Sequence, residues 1–516
     1  MIFSKSSKET QKREEWKESS IERHDLYNFE TKIDYKLERT NKKKTSYLLN
    51  TYIFLPETLQ INQESYPKEQ FFLDLNNRIR FKTPQMTIRG LLDKKNELSP
   101  INIILKKFMH IEHGTLTPKV KTRIEREIRL LACIVKVTLR DQFSYLFTEF
   151  DQLRIQGNIE DLIKHFLGSI SDFQEEMSCL RDKFLMGQIP FNLREVFRFA
   201  DEYISLQIQE WVTKALRFFE KKISPQLQKL MINIIEHEQN YRRNLNQRSV
   251  IERNTENEGF SYYEGILKKY VQGVLYLDKE KKDPKSSSLE LLYSIAAGFA
   301  MFMSLFLGFL ILSNYVENSI PFLIGVVVIY MLKDRIKDNI RSISEKAVGL
   351  VFPDKRDDIV DEFYQKKIGI SKEKANFIKW EEIPPEILEL RRSSSKSALE
   401  EEGKPENVIF YTQKISLLNR IIEEIHTRKK DLSNIIRFNI KEFLRYADDP
   451  IEKYTYWNPE EKRIETIPIA KVYHINVILK MSTFHDKKLE TVKFRKFRVI
   501  LDQDGIKRVE GPNITF

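Results

Sequence analysis

The sequence predicts an α+β membrane protein: a cytoplasmic bundle of long helices, antiparallel β regions at the N- and C-terminal ends, and a two-helix transmembrane hairpin in mid-sequence. Three observations predict it. Residues 291–312, LLYSIAAGFAMFMSLFLGFLIL, carry no charge in a chain that is 31% charged. Residues 320–332, IPFLIGVVVIYML, form a second uncharged run after a short loop. Outside these runs, hydrophobic residues alternate as in strands near both ends of the chain and recur as in helices between them.

Residues 1–26 are a charged tail without periodicity. Residues 27–97 read as the N-terminal β region, an antiparallel meander. Ile33, Tyr35 and Leu37 alternate with polar residues, and residues 47–55 form a more buried strand. Phe71, Leu73 and Leu75 alternate up to Asn76-Asn77, where a hairpin turn is expected before Ile79 and Phe81.

Residues 98–285 read as the cytoplasmic helical bundle. One apolar stripe runs through Ile124, Ile128, Leu131, Val135, Leu139, Phe143 and Leu146. Another runs from Val196 through Ala200, Tyr203, Trp211 and Ala215 to Phe218, broken by Gln207, and a third starts at Leu227. Pro190 and Pro225 mark helix starts; Gly157 and Gly187 mark stops. An amphipathic helix carrying Tyr263, Ile266, Leu267, Tyr270, Val274 and Leu277 precedes the hairpin.

The transmembrane hairpin occupies residues 289–333. A juxtamembrane helix at 334–352 carries Ile336, Ile340, Ile343, Ala347 and Leu350, and is expected to pair with the preceding amphipathic helix as a stalk. Residues 353–462 read as mixed α/β. They open on an acidic helix start with Asp354, Asp357, Asp358 and Asp361, and contain a polar linker at 391–406, a short strand at 408–411 and one or two helices over 417–443. Residues 463–516 read as a C-terminal β meander. Ile467, Ile469, Tyr473, Ile475, Val477, Leu479 and Met481 share one strand face, a bulge is expected near Arg495-Lys496, and Asp504-Gly505 is a turn. The two β regions are expected to pack together and bring the termini close.

The first apolar run has 22 residues, about 33 Å as a helix and close to the hydrocarbon thickness of a bilayer. The second has 13, roughly 20 Å, short for a span unless it is extended back to Tyr315 or tilted. Lys279, Lys281, Lys282 and Lys285 precede the pair; Lys333, Arg335, Lys337 and Arg341 follow it, and the loop between holds only Glu317. This asymmetry places both termini in the cytoplasm of a multi-pass inner-membrane protein. Lys282, Lys285, Lys333, Arg335 and Lys337 are the candidates for contact with an anionic lipid surface. Ser294, Ala297, Gly298, Met301, Ser304 and Gly308 put small residues along the first helix, suited to packing on the second helix or on another copy of the chain.

Searching for chemistry returns little. Cys133 and Cys179 lie in helical patterns and are expected to be buried free thiols. The pair His110 and His113 has a helical spacing that can hold a metal, but no further ligand cluster accompanies it. The acidic run at 354–362 lacks the spacing of a calcium loop, and no phosphate loop, dinucleotide fingerprint or nucleophile elbow is present. No catalytic residue, cofactor or metal is assigned. Lys493, Arg495, Lys496, Arg498, Lys507 and Arg508 near the C-terminus read as a solvated strand edge before they read as a phosphate-binding face.

The function expected is therefore a membrane-anchored, cytoplasm-facing binding, scaffold or signal-coupling protein rather than an enzyme. Its partners are the lipid bilayer, a cytoplasmic protein and a further copy through the first helix. The net charge of +11 comes from intermixed acids and bases; it favours proximity to an anionic inner leaflet and is compatible with weak nucleic-acid contact, but most of it reads as a solvated surface, and nucleic acid is not an expected partner. Two alternatives stand beside this reading. One is an oligomeric membrane-perturbing or pore-forming effector gated by its cytoplasmic body; the other is a lipid- or nucleotide-acting enzyme without a recognisable motif.

Overall fold

The computed structural model describes residues 21–36, 44–112, 116–155, 157–185, 189–253, 256–282, 286–314, 319–392, 406–426, 428, 431–486 and 488–511. The chain is α+β. A four-stranded antiparallel sheet has the order β1 (Ile21–Arg23), β2 (Asn28–Tyr35), β9 (Leu432–Asn439), β4 (Leu75–Phe81). An eight-stranded antiparallel sheet has the order β14 (Gly505–Glu510), β13 (Lys488–Asp502), β12 (Tyr473–His485), β3 (Lys44–Pro56), β8 (Glu406–Leu418), β7 (Lys366–Ile378), β6 (Lys355–Asp361), β5 (Asp278–Lys282). A separate hairpin, β10 (Ile451–Asn458) and β11 (Arg463–Ala470), exposes Tyr454, Trp457 and Ile464.

Alternation sets the inner faces. In β2, Phe29, Thr31, Ile33 and Tyr35 are buried while the residues between them are half-buried. Tyr35 stacks on Tyr47 of the larger sheet at 4.4 Å, and Phe29 meets Phe497 edge-on at 5.8 Å, so the sheets face each other across an aromatic core. The outer face of the larger sheet is covered too. Helix α12 (Pro385–Arg392) sets Ile387, and the turn before it sets Ile383, against Tyr52, Phe54, Val408 and Ile478. Lys496 is buried, and its Nζ donates to the carbonyls of Leu390 (2.9 Å) and Arg391 (2.7 Å), capping the C-terminal end of α12.

The N-terminal strands do not form a meander. β2 and β4 both flank β9, and β3 lies between β12 and β8. Residues 51–55 are buried on both faces, the signature of a central strand that needs a neighbour on each edge. Phe71 and Leu73 belong to a short helix, α1 (Lys68–Asp74), entered through Pro67, so Asn76-Asn77 lies inside β4 and is no turn. The two β regions share the eight-stranded sheet, where β3 pairs with β12, and the Ile506 amide donates to the Leu26 carbonyl at 2.7 Å.

Four further expectations are corrected. The acidic stretch after Pro353 is strand β6, because Ile359 and Val360 are buried and Asp358 pairs with Lys367 at 2.7 Å. Over 417–443 the α-helix is confined to α13 (Asn419–Ile425), followed by β9 and the start of a 3-10 helix at Lys441–Tyr446. The register of β13 on β12 runs unbroken past Arg495-Lys496; consecutive burial there reflects cover on both faces of the sheet, and the irregularities fall at Thr483/Phe484 and Ile500/Leu501. The expected strand face from Ile467 to Met481 is split, with Ile467 and Ile469 in β11 and the rest in β12. Arg391 and Glu406, at the two ends of the polar linker, form a buried two-pronged ion pair at 2.8 and 3.2 Å.

The helical region contains α2 (Ile88–Leu92), α3 (Pro100–Glu112), α4 (Pro118–Thr148), α5 (Phe150–Ile155), α6 (Ile159–Leu185), α7 (Phe191–Phe219), α8 (Pro225–Asn244) and α9 (Glu258–Gln272). Pro225 starts α8 and Gly157, at φ +73°, sits in the break between α5 and α6. Residues 200–208 of α7 are buried all round, since α4, α6, α8 and α9 surround it. Polar residues caught there must therefore pair. Arg181 grips Asp201 through Nε and Nη2 at 2.9–3.1 Å, and Ser249 (2.5 Å) and Tyr263 (3.0 Å) donate to Glu202. Burial pushes the Asp201 carboxyl up from its ordinary value against the pull of Arg181. Cys133 is buried as expected, but Cys179 is exposed on α6.

The apolar runs form α10 (Ser286–Asn314) and α11 (Ile320–Val351), which pack on each other. Among the described residues α9 makes no extensive contact with α11 of the kind the expected stalk requires; its Leu267 and Val271 are buried in the body, where α9 packs on α4 and α7. Gly505 opens β14 with φ +133°, and a Cβ there would run into the Leu26 carbonyl. Gly505→Ala is expected to destabilise the body by about 2 kcal/mol through backbone strain and crowding, read as a lower urea midpoint.

Candidate functional site

The outward face of the four-stranded sheet is polar. Pairing sets Glu30, Arg437 and Asn76 in one row across the strands, Lys32, Ile435 and Arg78 in the next, and Asp34, Ser433 and Arg80 in the third. Opposite stand Lys136 and Arg140, one turn apart on α4, and Lys268 and Gln272, one turn apart on α9. Between them lies a cleft of about 440 Å³. Seven of its lining residues are Lys or Arg, and among those described Glu30 is the single carboxylate.

Glu30 answers three of these neighbours. It accepts from Arg437 at 2.6 Å and Lys32 at 3.2 Å, with His24 at 3.9 Å. Burial would raise its carboxyl, but the hydrogen bonds from Arg437 and Lys32 hold it below its ordinary value. Arg140 pairs outward with Asp141 at 2.7 Å. Among the described residues no carboxylate lies within ion-pair distance of Arg78, Arg80, Lys136 or Lys268. The Arg80 Nε is buried without a partner. Lys136 leans on the Tyr203 hydroxyl at 3.0 Å, and burial followed by the nearby Lys268 charge pulls its pKa down. The last wall is Leu275–Tyr276, where Tyr276 bridges to Arg80 and the Leu277 amide donates to Ile79. Two residues later the chain becomes β5.

A second polar cluster is closed to solvent. Arg428 reaches both oxygens of Glu127 at 3.2 and 2.7 Å, and Arg126 lies 3.4 Å from the same carboxylate. Arg126 also donates to Nδ1 of His426 at 2.6 Å, so the ring carries its proton on Nε2 and donates it to Asp361 at 3.0 Å. Burial would raise the Asp361 carboxyl, but the His426 hydrogen bond and Arg126 hold it below its ordinary value. This chain ties α4 to the end of β6 and to the segment after α13.

The residues singled out from the sequence lie elsewhere. On α10, Ser294, Ala297, Gly298 and Met301 are exposed, and Ser304 and Gly308 are half-buried. The face of α10 turned to α11 is Ala296 and Ala300, while a Cβ at Gly298 or Gly308 would meet nothing within 4 Å. Lys282 is exposed at the end of β5; Lys333 lies over the Tyr330 ring at 4.3 Å, and Arg335 and Lys337 are exposed. Lys285 and His113 lie outside the described residues, as does the side chain of His110. Of the C-terminal basic residues, Lys507 pairs with Asp502 at 2.7 Å and Arg508 with Glu510 at 2.8 Å. The basic cleft escaped sequence reading because its residues come from β2, β4, α4, α9 and β9. Its only linear traces are the alternating Arg78-x-Arg80 and the one-turn spacings on α4 and α9.

Comparison with known proteins returns no family model, no curated protein and no solved structure that matches this chain.

Proposed function

We propose that this chain is a membrane-anchored binding and signal-coupling protein, with α10 and α11 as its anchor and its folded body on the cytoplasmic side. Residues 290–313 form a helix of mean hydropathy 2.4, long and apolar enough to cross a membrane, and only 11% of its apolar window is buried. A core helix of a water-soluble body would be mostly buried. Ten large apolar side chains of α10, among them Phe299, Phe302, Phe306 and Phe309, are exposed. Leaving them half in water forfeits on the order of 10 kcal/mol, as much as the whole stability of a domain.

The observation that carries the coupling is at the roots of the helix pair. β5 leads into α10 and β6 follows α11, and these strands pair in register with Lys282 opposite Arg356 at the edge of the eight-stranded sheet. A tilt of either helix therefore pulls on the sheet edge and, through Tyr276, on the cleft. α11 is the less regular member. Gly325 lies against Ile311, and Arg341 stacks on Tyr293 at 4.5 Å, so Lys333 falls level with the middle of α10. Its apolar run of 13 residues reaches roughly 20 Å into lipid, and its cations extend along the helix toward the headgroups. The open small residues of α10 leave room for a second copy.

Cys179 tests the placement, since it is exposed and Cys133 is buried. A membrane-impermeant maleimide is expected to label Cys179 in inside-out vesicles and to leave it unlabelled in intact cells. Labelling in intact cells would place the body outside and overturn the reading.

A further inference from the structure

We propose that the basic cleft between the four-stranded sheet and helices α4 and α9 binds a small molecule carrying two or more phosphate groups. This goes beyond the anchoring role and does not depend on it.

The charge is concentrated and largely uncompensated. Seven cations face one carboxylate in about 440 Å³, a volume within the range of small-ligand pockets. Like charges brought together cost free energy that a bound anion returns, and in this cleft Glu30 already serves Arg437 and Lys32. Arg78, Arg80, Lys136 and Lys268 remain for a ligand. The Arg80 Nε, buried without an acceptor, needs one. Guanidinium forks match phosphate oxygens two at a time, while ammonium groups act as mobile point charges.

The spacing selects several phosphates over one. Arg78 and Arg80 share a face of one strand, about 7 Å apart at the backbone. Lys136 and Lys268 approach from separate helices on the opposite wall. The four cations on the two walls outnumber the charges of one phosphate, and a chain or ring of phosphates matches them. Walls of sheet and helix on two sides suit a compact ligand better than a nucleic-acid duplex. The phosphates can come from a soluble nucleotide or polyphosphate, or from the headgroup of a phosphorylated lipid.

The test uses the full-length chain in nanodiscs of phosphatidylcholine alone. Titration calorimetry with ATP, GTP and inorganic triphosphate is compared with orthophosphate, and a parallel arm uses nanodiscs containing a polyphosphorylated inositol lipid. Saturable binding of a triphosphate compound identifies the soluble source; binding in the lipid arm alone identifies the headgroup. In either case orthophosphate is expected to bind at least about tenfold more weakly. Arg78 and Lys268 are both exposed, so Arg78→Glu and Lys268→Glu should fold, and each is expected to weaken binding by about tenfold or more. Lys164→Glu, on the far-side helix α6, should leave it unchanged. Absence of saturable binding up to about 1 mM in every arm, binding of RNA alone, or binding indifferent to both cleft substitutions would overturn the assignment.

Discussion

Replacing Glu127 with alanine is expected to destabilise the body by about 3–5 kcal/mol. Glu127 is 2% exposed and is the carboxylate that Arg428 grips from both sides and Arg126 approaches at 3.4 Å. Removing it leaves two guanidinium groups in the core without their shared counter-charge. The urea midpoint of the variant should fall accordingly. Removing the charges together should cost less than the separate losses added, because Glu127→Leu with Arg428→Met leaves no buried charge orphaned from that pair. A double variant as unstable as the sum would contradict the assignment of the loss to the pair.

The same cluster gives the stability an acid limb. Asp361 is held below its ordinary value near 3.8 in the fold. A carboxyl depressed in the folded state contributes stability that is fully present above its unfolded value and disappears as pH falls through the folded one. The contribution should therefore be intact above about pH 4 and vanish below it. Asp361→Asn should lower stability at neutral pH and flatten the acid limb.

Excising the helix pair is expected to leave a folded, water-soluble body. The strands on either side, β5 and β6, are already antiparallel neighbours with Lys282 opposite Arg356. A short Gly-containing turn in place of residues 284–353 replaces the helix pair with a β-hairpin connection without moving either strand. The rest of the core is untouched, since the one extensive packing partner of α10 among the described residues is α11. The excised chain should move from the membrane pellet to the supernatant and keep the urea midpoint of the full-length protein's body. Loss of folding on excision would mean that the pair is part of the body's core.

The bundle and the apolar runs were legible in the sequence because helical periodicity is local. The stripe from Ile124 to Leu146 and the starts at Pro190 and Pro225 all lie where the residues predict. The sheets were legible only in part. Ile33, Tyr35, Ile475, Val477 and Leu479 point inward as their alternation requires, but which strands pair depends on contacts between residues hundreds of positions apart, as for Tyr47 and Ile415 in β3 and β8. Strands covered on both faces, such as β13, lose the alternation that marks a strand. The basic cleft is further out of reach, since it exists only once β9 has inserted between β2 and β4. The cations picked from the flanks of the hairpin were visible because they adjoin it in sequence, whereas Arg80 and Lys268 meet only in the fold.

The central claim is that lipid surrounds α10, and alkaline carbonate extraction of membranes holding the full-length chain tests it most directly. The account predicts that the protein stays in the membrane pellet and is released by detergent. Its quantitative appearance in the carbonate supernatant would show that α10 is sheltered by protein instead, and the anchoring role would fall with it.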